Sequence, residues 1–191
     1  WISIFDKFGP KLRRILAQMY GPDKRFLDDR RKEYLRVLRR FARKYGRDKS
    51  VIVTRAPGRV NLMGRHVDHR GGHVNVMAIN REVLMVAAPR NDDVIRMTHV
   101  ESRQFPDSEY SISGLIGSMV WDDWLSYVNS RQVQQMVVDS RGDWSNYVKA
   151  SMLRLQQSFR NIRIRGFDAA VVGDIPMAAG LSSSSALVVA A

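Results

Sequence analysis

The chain has 191 residues, of which 45% are hydrophobic and none is cysteine, which argues against a disordered chain and excludes disulfides and cysteine-ligated zinc. The formal net charge of +12 is concentrated in residues 1–50, which hold 16 of the 31 basic and six of the 19 acidic residues, so residues 51–191 carry only +2. No apolar run approaches the roughly 18 residues of a membrane span and no leader-like segment opens the chain, so we expect no membrane partner and a cytoplasmic location.

Residues 1–50 are predicted to form a basic helical arm ahead of a domain at 51–191. Apolar residues recur at helical spacing through 26–45, with arginines on the opposite side, and a shorter helix is predicted at 11–19. Gly46 is expected to end the longer helix. Such an arm can bind nucleic acid, but it has no zinc-finger spacing and no recognisable RNA-binding motif. Solvated helix faces are therefore the favoured interpretation, and nucleic acid is not expected as a partner.

Runs rich in β-branched and aromatic residues predict five strands in the domain. They lie at 51–54, 82–88, 94–99, 108–113 and 167–172. Helices are predicted at 121–139, at 146–159 and from Ser182 onward, with Asp143 or Ser145 as the cap of the second. Strands come first and helices lie between the later ones, which favours an α+β fold, a mixed sheet packed with helices. The last segment carries no helix stop signal, so we expect a fragment of a longer protein.

Residues 173–186 carry the sharpest chemical pattern, because a strand leads into a loop of small residues and the loop leads into a helix. Free N–H groups and the positive dipole end at a helix start suit a polyphosphate. We expect Gly180 to let the backbone approach a phosphate closely, and the serine hydroxyls to bind phosphate oxygens or Mg²⁺. Serines are common at helix starts, but the run Pro-x-x-x-Gly-Leu-Ser-Ser-Ser-Ser-Ala after a strand is far more specific. It is not a Walker A loop, since no Gly-Lys-Ser/Thr follows.

This run resembles the second motif of the GHMP kinases, which include galactokinase, homoserine kinase, mevalonate kinase and phosphomevalonate kinase. The resemblance implies that ATP and Mg²⁺ are the cofactors. By this match, the nucleotide contacts would be Pro176, Gly180, Leu181, Ser182, Ser183, Ser184 and Ser185. Ser184 matches the serine that reaches Mg²⁺ in the family, and Ser185 is a near alternative.

A second pattern at residues 55–72 places arginines, two histidines and one carboxylate between four glycines, and it predicts a polar, glycine-rich loop. Asp68 can accept two sugar hydroxyls side by side, and Arg59 offers a rigid fork to a phosphate or a carboxylate. The closely spaced histidines hint at a metal site. His66 and His69 are equally ordinary hydrogen-bonding partners of Asp68, however, so no metal is predicted there.

Residues 56–72 resemble the galactokinase signature within the GHMP group, and residues 144–149 resemble the family's Trp-x-Asn-Tyr-Val-Lys stretch. The resemblance implies two α+β domains with the active site between them, of which the C-terminal one is missing here. It also implies transfer of the γ-phosphoryl group of ATP to the anomeric hydroxyl of a monosaccharide. Arg59 would be catalytic, near the reacting hydroxyl and the γ-phosphate. Sugar-binding residues by this match are Arg65, His66, Asp68, Gly71 and Gly72.

The sugar-binding pattern departs from the family at Arg65, where a glutamate is usual. A donor-only side chain suits a carboxylate at carbon six, which predicts a uronic acid such as galacturonate. Alternatively, Arg65 turns outward and the sugar is galactose. A non-catalytic sensor that binds ATP and sugar also stays open, because the family's catalytic aspartate would lie beyond residue 191. For the same reason we expect the chain to be inactive alone.

Overall fold

The computed structural model describes residues 1–64, 67, 70–117, 123–177 and 179–191, which form eight helices and five strands. The helices are α1 (Ile2–Lys7), α2 (Pro10–Tyr20), α3 (Lys24–Tyr45), α4 (Ile112–Ile116), α5 (Trp124–Val128), α6 (Arg131–Asp139), α7 (Asn146–Ser158) and α8 (Ser183–Ala190). The strands are β1 (Ile52–Met63), β2 (Asn75–Pro89), β3 (Val94–His99), β4 (Ser108–Ser111) and β5 (Phe167–Gly173). None of the helices in the described ranges combines the length and the apolar character that crossing a bilayer requires.

The strands form one mixed sheet in the order β1-β2-β5-β3-β4, which confirms the predicted fold class. β3 and β5 are parallel, and the other neighbouring pairs are antiparallel. The central strand β5 alternates its side chains between the two faces, with Ala169 and Val171 in one core and Ala170 and Val172 in the other. Both faces of the sheet are therefore covered.

Helices α1, α2 and α3 cover one face of the sheet. The helical spacing of α3 produces an apolar stripe, which buries Leu27, Tyr34, Leu35, Val37, Leu38 and Phe41. This stripe shares a core with Leu84 and Val86 of β2 and with Ala170 and Val172 of β5. The residues before 51 are thus packed onto the sheet rather than extended away from it.

Helices α4, α7 and α8 cover the opposite face. Val148 of α7 and Leu187 of α8 pack with Met85 and Val171 of the two central strands. Since α8 follows β5 after a short loop, its first turn lies beside the end of the central strand. This junction is where the site described below is built.

The structure differs from the prediction most clearly at β1, which continues to Met63 where a polar loop was predicted at 55–72. Its outer half pairs with residues 75–78 of β2, so both strands of this hairpin extend well beyond the short apolar runs that predicted them. An edge strand tolerates Pro57 and Gly58, because the ladder has a register shift between Pro57 and Arg59. The helix predicted at 121–139 is divided into α5 and α6, where the Ser130 hydroxyl caps α6.

Candidate active site

Two of the described residues in the β5–α8 loop, residues 174–182, lie in the left-handed backbone region. Gly180 has φ of 71° and Ser182 has φ of 62°. A glycine adopts this region without steric strain. A serine there is strained, and such strained residues are typical of functional sites. A Cβ at Gly180 would meet no described atom within 4 Å, so the backbone conformation alone already calls for glycine there.

The start of α8 leaves its first N–H groups available. Ser182 is the N-cap residue, but its side chain makes no capping bond, and its carbonyl accepts the first helical bond from the Ala186 amide at 2.9 Å. The Ser182 hydroxyl instead accepts a hydrogen bond from Arg59 Nη2 at 3.2 Å. The first-turn amides that follow have no intrahelical acceptor, so they can bind an anion.

Strand β1 contacts the end of the same loop through its backbone. The Arg59 amide donates to the Leu181 carbonyl at 3.0 Å. A Cβ at Gly58 would lie 3.0 Å from that carbonyl oxygen, so glycine permits the approach. Two segments whose contacting residues are 123 positions apart therefore meet, and the Arg59 guanidinium lies beside the serine run.

A cavity of about 710 Å³ opens over this junction. Its polar side includes Arg59, Asn61 and the serines at 182–185, and its apolar side includes Phe105, Trp144 and Tyr147. The Asn61 Oδ1 atom is buried and receives no hydrogen bond from the described residues. Since buried acceptors are rarely left unpaired, this oxygen is available to a ligand that donates.

The apolar side is an aromatic wall made of His99, Phe105 and Trp144, and its members fix one another. Trp144 Nε1 donates to the Pro106 carbonyl at 2.9 Å. The His99 ring meets Phe105 edge-on at a centroid distance of 4.4 Å and Trp144 at 5.6 Å. Burial lowers the pKa of His99 to about 4, and its Nδ1 accepts from the Glu101 amide at 3.0 Å, so the ring is neutral near pH 7. The wall is an uncharged surface that suits a planar group.

An ion pair holds the segment from which Trp144 projects. Ser145 is the N-cap residue of α7, but its side chain makes no capping bond. Its hydroxyl donates to Asp143 Oδ2 at 2.8 Å, and Lys149 Nζ bonds the same oxygen at 2.8 Å. Burial opposes ionisation of Asp143, but Lys149 and Ser145 outweigh it, so the pKa of that carboxyl is lowered. This network fixes the start of α7 against the cavity.

The structure brings several residues named in the sequence analysis to one cavity, and these are Arg59, Gly180, Leu181 and the serines at 182–185. The lining does not include Pro176, Gly71 or Gly72 among the described residues. Arg65, His66, Asp68 and His69 lie outside the described residues. Five further polar or aromatic residues line the cavity without a role predicted for them, and these are Asn61, His99, Phe105, Trp144 and Tyr147. Trp144 and Tyr147 belong to the quoted Trp-x-Asn-Tyr-Val-Lys stretch, which was the available signal, whereas nothing marks Phe105 or His99.

In the part of the chain that the structure describes, no group of three or more acidic or histidine side chains could hold a metal ion. Ser184 supplies a single hydroxyl oxygen on the cavity wall. Mg²⁺ takes six oxygen ligands and retains several waters. A magnesium ion here would therefore take most of its other ligands from bound phosphates and water.

Two family models match the chain. The galactokinase galactose-binding signature covers residues 39–89, and the GHMP kinases N terminal domain covers residues 146–191. The galactokinase of Chloroflexus aurantiacus is 34% identical over 138 residues, which are 72% of this chain and 29% of that protein. The galactokinase of Dictyostelium discoideum is 30% identical over 186 residues, which are 96% of this chain and 33% of that protein.

The fold also matches a solved structure, that of Lactococcus lactis galactokinase complexed with galactose. The TM-score is 0.57 at 26% identity, and the match covers 79% of this chain and 33% of the other. The chain spans about a third of the length of the relatives it matches.

Proposed function

Since the chain belongs to the GHMP kinase family, in its galactokinase-like group, we propose that it is part of an ATP-dependent kinase that phosphorylates the anomeric hydroxyl of a monosaccharide. The observation that carries this proposal is the contact of Arg59 with Ser182 inside one cavity. Arg59 belongs to the galactose-binding signature, and Ser182 begins the helix whose N-terminus suits phosphates. The contact supports a site in which one cation serves both the sugar motif and the phosphates.

ATP is the proposed nucleotide, with its phosphates at the start of α8. The proposed contacts are Pro176, Gly180, Leu181, Ser182, Ser183, Ser184 and Ser185. The free amides and the helix dipole favour negative charge there, and the aromatic wall can stack the base. The Ser184 hydroxyl is the proposed Mg²⁺ ligand from this chain, and phosphate oxygens complete the shell.

Arg59 is the proposed catalytic residue. Its guanidinium, a rigid fork of donors that matches phosphate oxygens, lies at the cavity wall beside the start of α8. A cation in this place stabilises the negative charge that develops on the transferred phosphoryl group and its acceptor. The sugar is proposed to bind Arg65, His66, Asp68, Gly71 and Gly72, which the matched galactose-binding signature supports.

The proposed sugar is galactose or a relative such as galacturonate. Arg65 favours galacturonate, because a guanidinium donates to a carboxylate and cannot accept from a hydroxyl. The Lactococcus relative was solved with galactose, which supports the neutral sugar instead. The two sugars differ at carbon six, so one substitution can separate them.

The test measures ADP release by the complete protein with galactose, galacturonate, arabinose or no sugar. We expect sugar-dependent release, and a fall of about 100-fold or more on Arg59→Met. Arg14→Met, which removes an exposed arginine of α2, is the matched control and should leave the rate unchanged. Turnover with galacturonate alone, lost on Arg65→Glu, would assign Arg65 to the carboxylate, and turnover with galactose would refute that assignment. Binding of ATP and sugar without any turnover would contradict the kinase and favour a sensor.

A further inference from the structure

We propose that Arg30 of α3 is a positioning residue for the nucleotide site, because it fixes Asp174, the residue at which the β5–α8 loop leaves the sheet. The inference rests on the proposed function and extends the site to a helix on the opposite face of the sheet. Arg30 touches no ligand in this proposal and acts through the loop alone.

Asp174 is bonded to β2 through both its backbone and its side chain. Its amide donates to the Glu82 carbonyl at 3.2 Å, and its Oδ1 accepts from the Glu82 amide at 2.8 Å. These bonds continue the ladder one step beyond its last pair, Val83 with Gly173. The remaining oxygen, Oδ2, accepts from Arg30 Nη2 at 2.6 Å. The conformation of Asp174, and with it the direction of the outgoing chain, is therefore fixed from three sides.

Arg30 is itself held in a buried cluster, since only 5% of its side chain is exposed. Its second carboxylate is Glu82, at 3.7 Å, which is 2% exposed. Glu82 also accepts from Arg55 Nε at 2.7 Å and from the Tyr20 hydroxyl. The Phe26 ring lies 5.1 Å from the Arg30 guanidinium carbon. The cluster therefore joins α2, α3, β1 and β2 to the first residue of the loop.

The cluster keeps its charges in place. Burial opposes ionisation of Asp174, but the bonds from Arg30 and the Glu82 amide outweigh it and hold the pKa of that carboxyl below its usual range. Burial also raises the pKa of Tyr20, so its hydroxyl remains a donor to Glu82. A buried arginine with two carboxylates is costly to disturb, because a lost partner leaves an uncompensated charge.

The loop is thus held at its two ends, and among the described residues between them only Ile175 is buried. Asp174 holds its start, and the bond between the Arg59 amide and the Leu181 carbonyl holds its end. Pro176, Met177 and the other described residues up to Gly180 are exposed. Two fixed ends preset the start of α8 for its ligand, which lowers the ordering cost of binding. Releasing Asp174 should therefore weaken nucleotide binding and loosen the Arg59 amide.

A purely stabilising ion pair is the alternative, and β5 itself provides the control. Its other end carries Asp168, which is fully buried and accepts from Arg96 Nε at 2.7 Å and Arg90 Nη1 at 3.1 Å. Asp168→Asn likewise removes one carboxylate charge, but at the opposite end of β5 and away from the loop. Asp174→Asn and Arg30→Met are the test variants, and the first keeps an oxygen for the Glu82 amide.

The experiment compares these variants with the wild type in the complete protein, without ligand and with ADP. Hydrogen exchange of the Arg59 amide is measured relative to amides in the middle of β5, and ADP affinity is measured by calorimetry. We expect Asp174→Asn and Arg30→Met to accelerate relative exchange at Arg59 and to weaken ADP binding about tenfold, with sugar binding retained. Asp168→Asn should change neither.

Unchanged relative exchange at Arg59 in Asp174→Asn, or equal acceleration in Asp168→Asn, would overturn the inference. The exchange readout needs no ligand, so it decides the inference even if ADP does not bind. Failure of ADP to bind the wild type would contradict the proposed function alone.

Discussion

The two ends of β5 each carry an aspartate paired with arginine, but burial is distributed in opposite ways. At the first end the anion is buried, since Asp168 is 0% exposed, while its three cations, Lys49, Arg90 and Arg96, all reach solvent. At the second end the cation is buried, since Arg30 is 5% exposed, while Asp174 is 20% exposed. The first arrangement ties surface groups to a strand, and the second ties a surface loop to the core. A buried ion cannot be solvated by water when its partners are removed, so removing the partners of a buried ion should cost the most stability.

The largest expected effect is loss of the buried cation at the second end. Arg30→Met leaves Glu82 and Asp174 without their shared partner, and Arg55 and Arg81 compensate only in part. We expect the free energy of unfolding to fall by about 3 kcal/mol. Denaturant titration measures it, and a loss below that of Asp168→Asn would reverse the comparison.

The loss at the first end should be smaller. Asp168→Asn removes the negative charge and one of the two oxygens that accept from Lys49, Arg90 and Arg96, but these cations can turn to water. We expect a loss of about 2 kcal/mol in the same titration. A fully denatured variant would show that its cations are less free to move than their exposure indicates.

We expect the stability to depend on pH through His99 of β3, which pairs with Val171 of β5. The unfolded chain binds the imidazole proton near pH 6.5 and the folded chain only near pH 4. The free energy of unfolding should therefore fall as pH drops from 6.5 to 4, by up to about 1.4 kcal/mol per pH unit. Urea titrations at several pH values in that range should show that the free energy of unfolding changes less steeply with pH in His99→Gln than in the wild type. Parallel slopes would place the titrating group elsewhere.

A smaller effect sharpens the comparison at the loop end. Gly58→Ala would place a Cβ 3.0 Å from the Leu181 carbonyl oxygen and from Ile79 Cδ1. We expect a loss of about 1 kcal/mol, with faster exchange at the Arg59 amide. Gly173→Ala is the control, since its Cβ would lie 3.4 Å from Val83 Cγ2, an ordinary contact. Equal losses in the two variants would mean that the approach of Leu181 is not tight.

The smallest effect should come from one cation at the first end. Lys49→Met removes one of three partners of Asp168 and leaves Arg90 and Arg96 in place. We expect about 0.5 kcal/mol in thermal or denaturant unfolding. A loss as large as that of Asp168→Asn would mean that the three cations are not redundant.

The fold class and the β5–α8 junction could be predicted from sequence, because apolar periodicity marks α3 and the core of β5, and the serine run is distinctive. The outer half of the β1–β2 hairpin could not, since residues 75–80 of β2 are mostly exposed and alternate weakly. Arg30 could not be singled out either. It is one of many arginines on α3, and only the packing of α3 against β2 and β5 buries it.

The site shows the same division. Local motifs marked Arg59 and the serines at 182–185, because their chemistry is written in consecutive residues. His99 and Phe105 reach the cavity from β3 and the turn after it, so only the tertiary fold brings them there. Asn61 stood inside a quoted motif, but its unpaired oxygen is visible only once burial is known.

The strand order has a consequence for synthesis on the ribosome. Of the five described strands, β5 is the last in sequence but lies between β2 and β3 in space, so those two strands are not joined in one sheet until residues 167–173 emerge. Until then β2 and β3 each expose an unpaired, apolar edge of the kind that drives aggregation. Both cores need β5, and folding is therefore expected to be late and abrupt rather than gradual along the nascent chain.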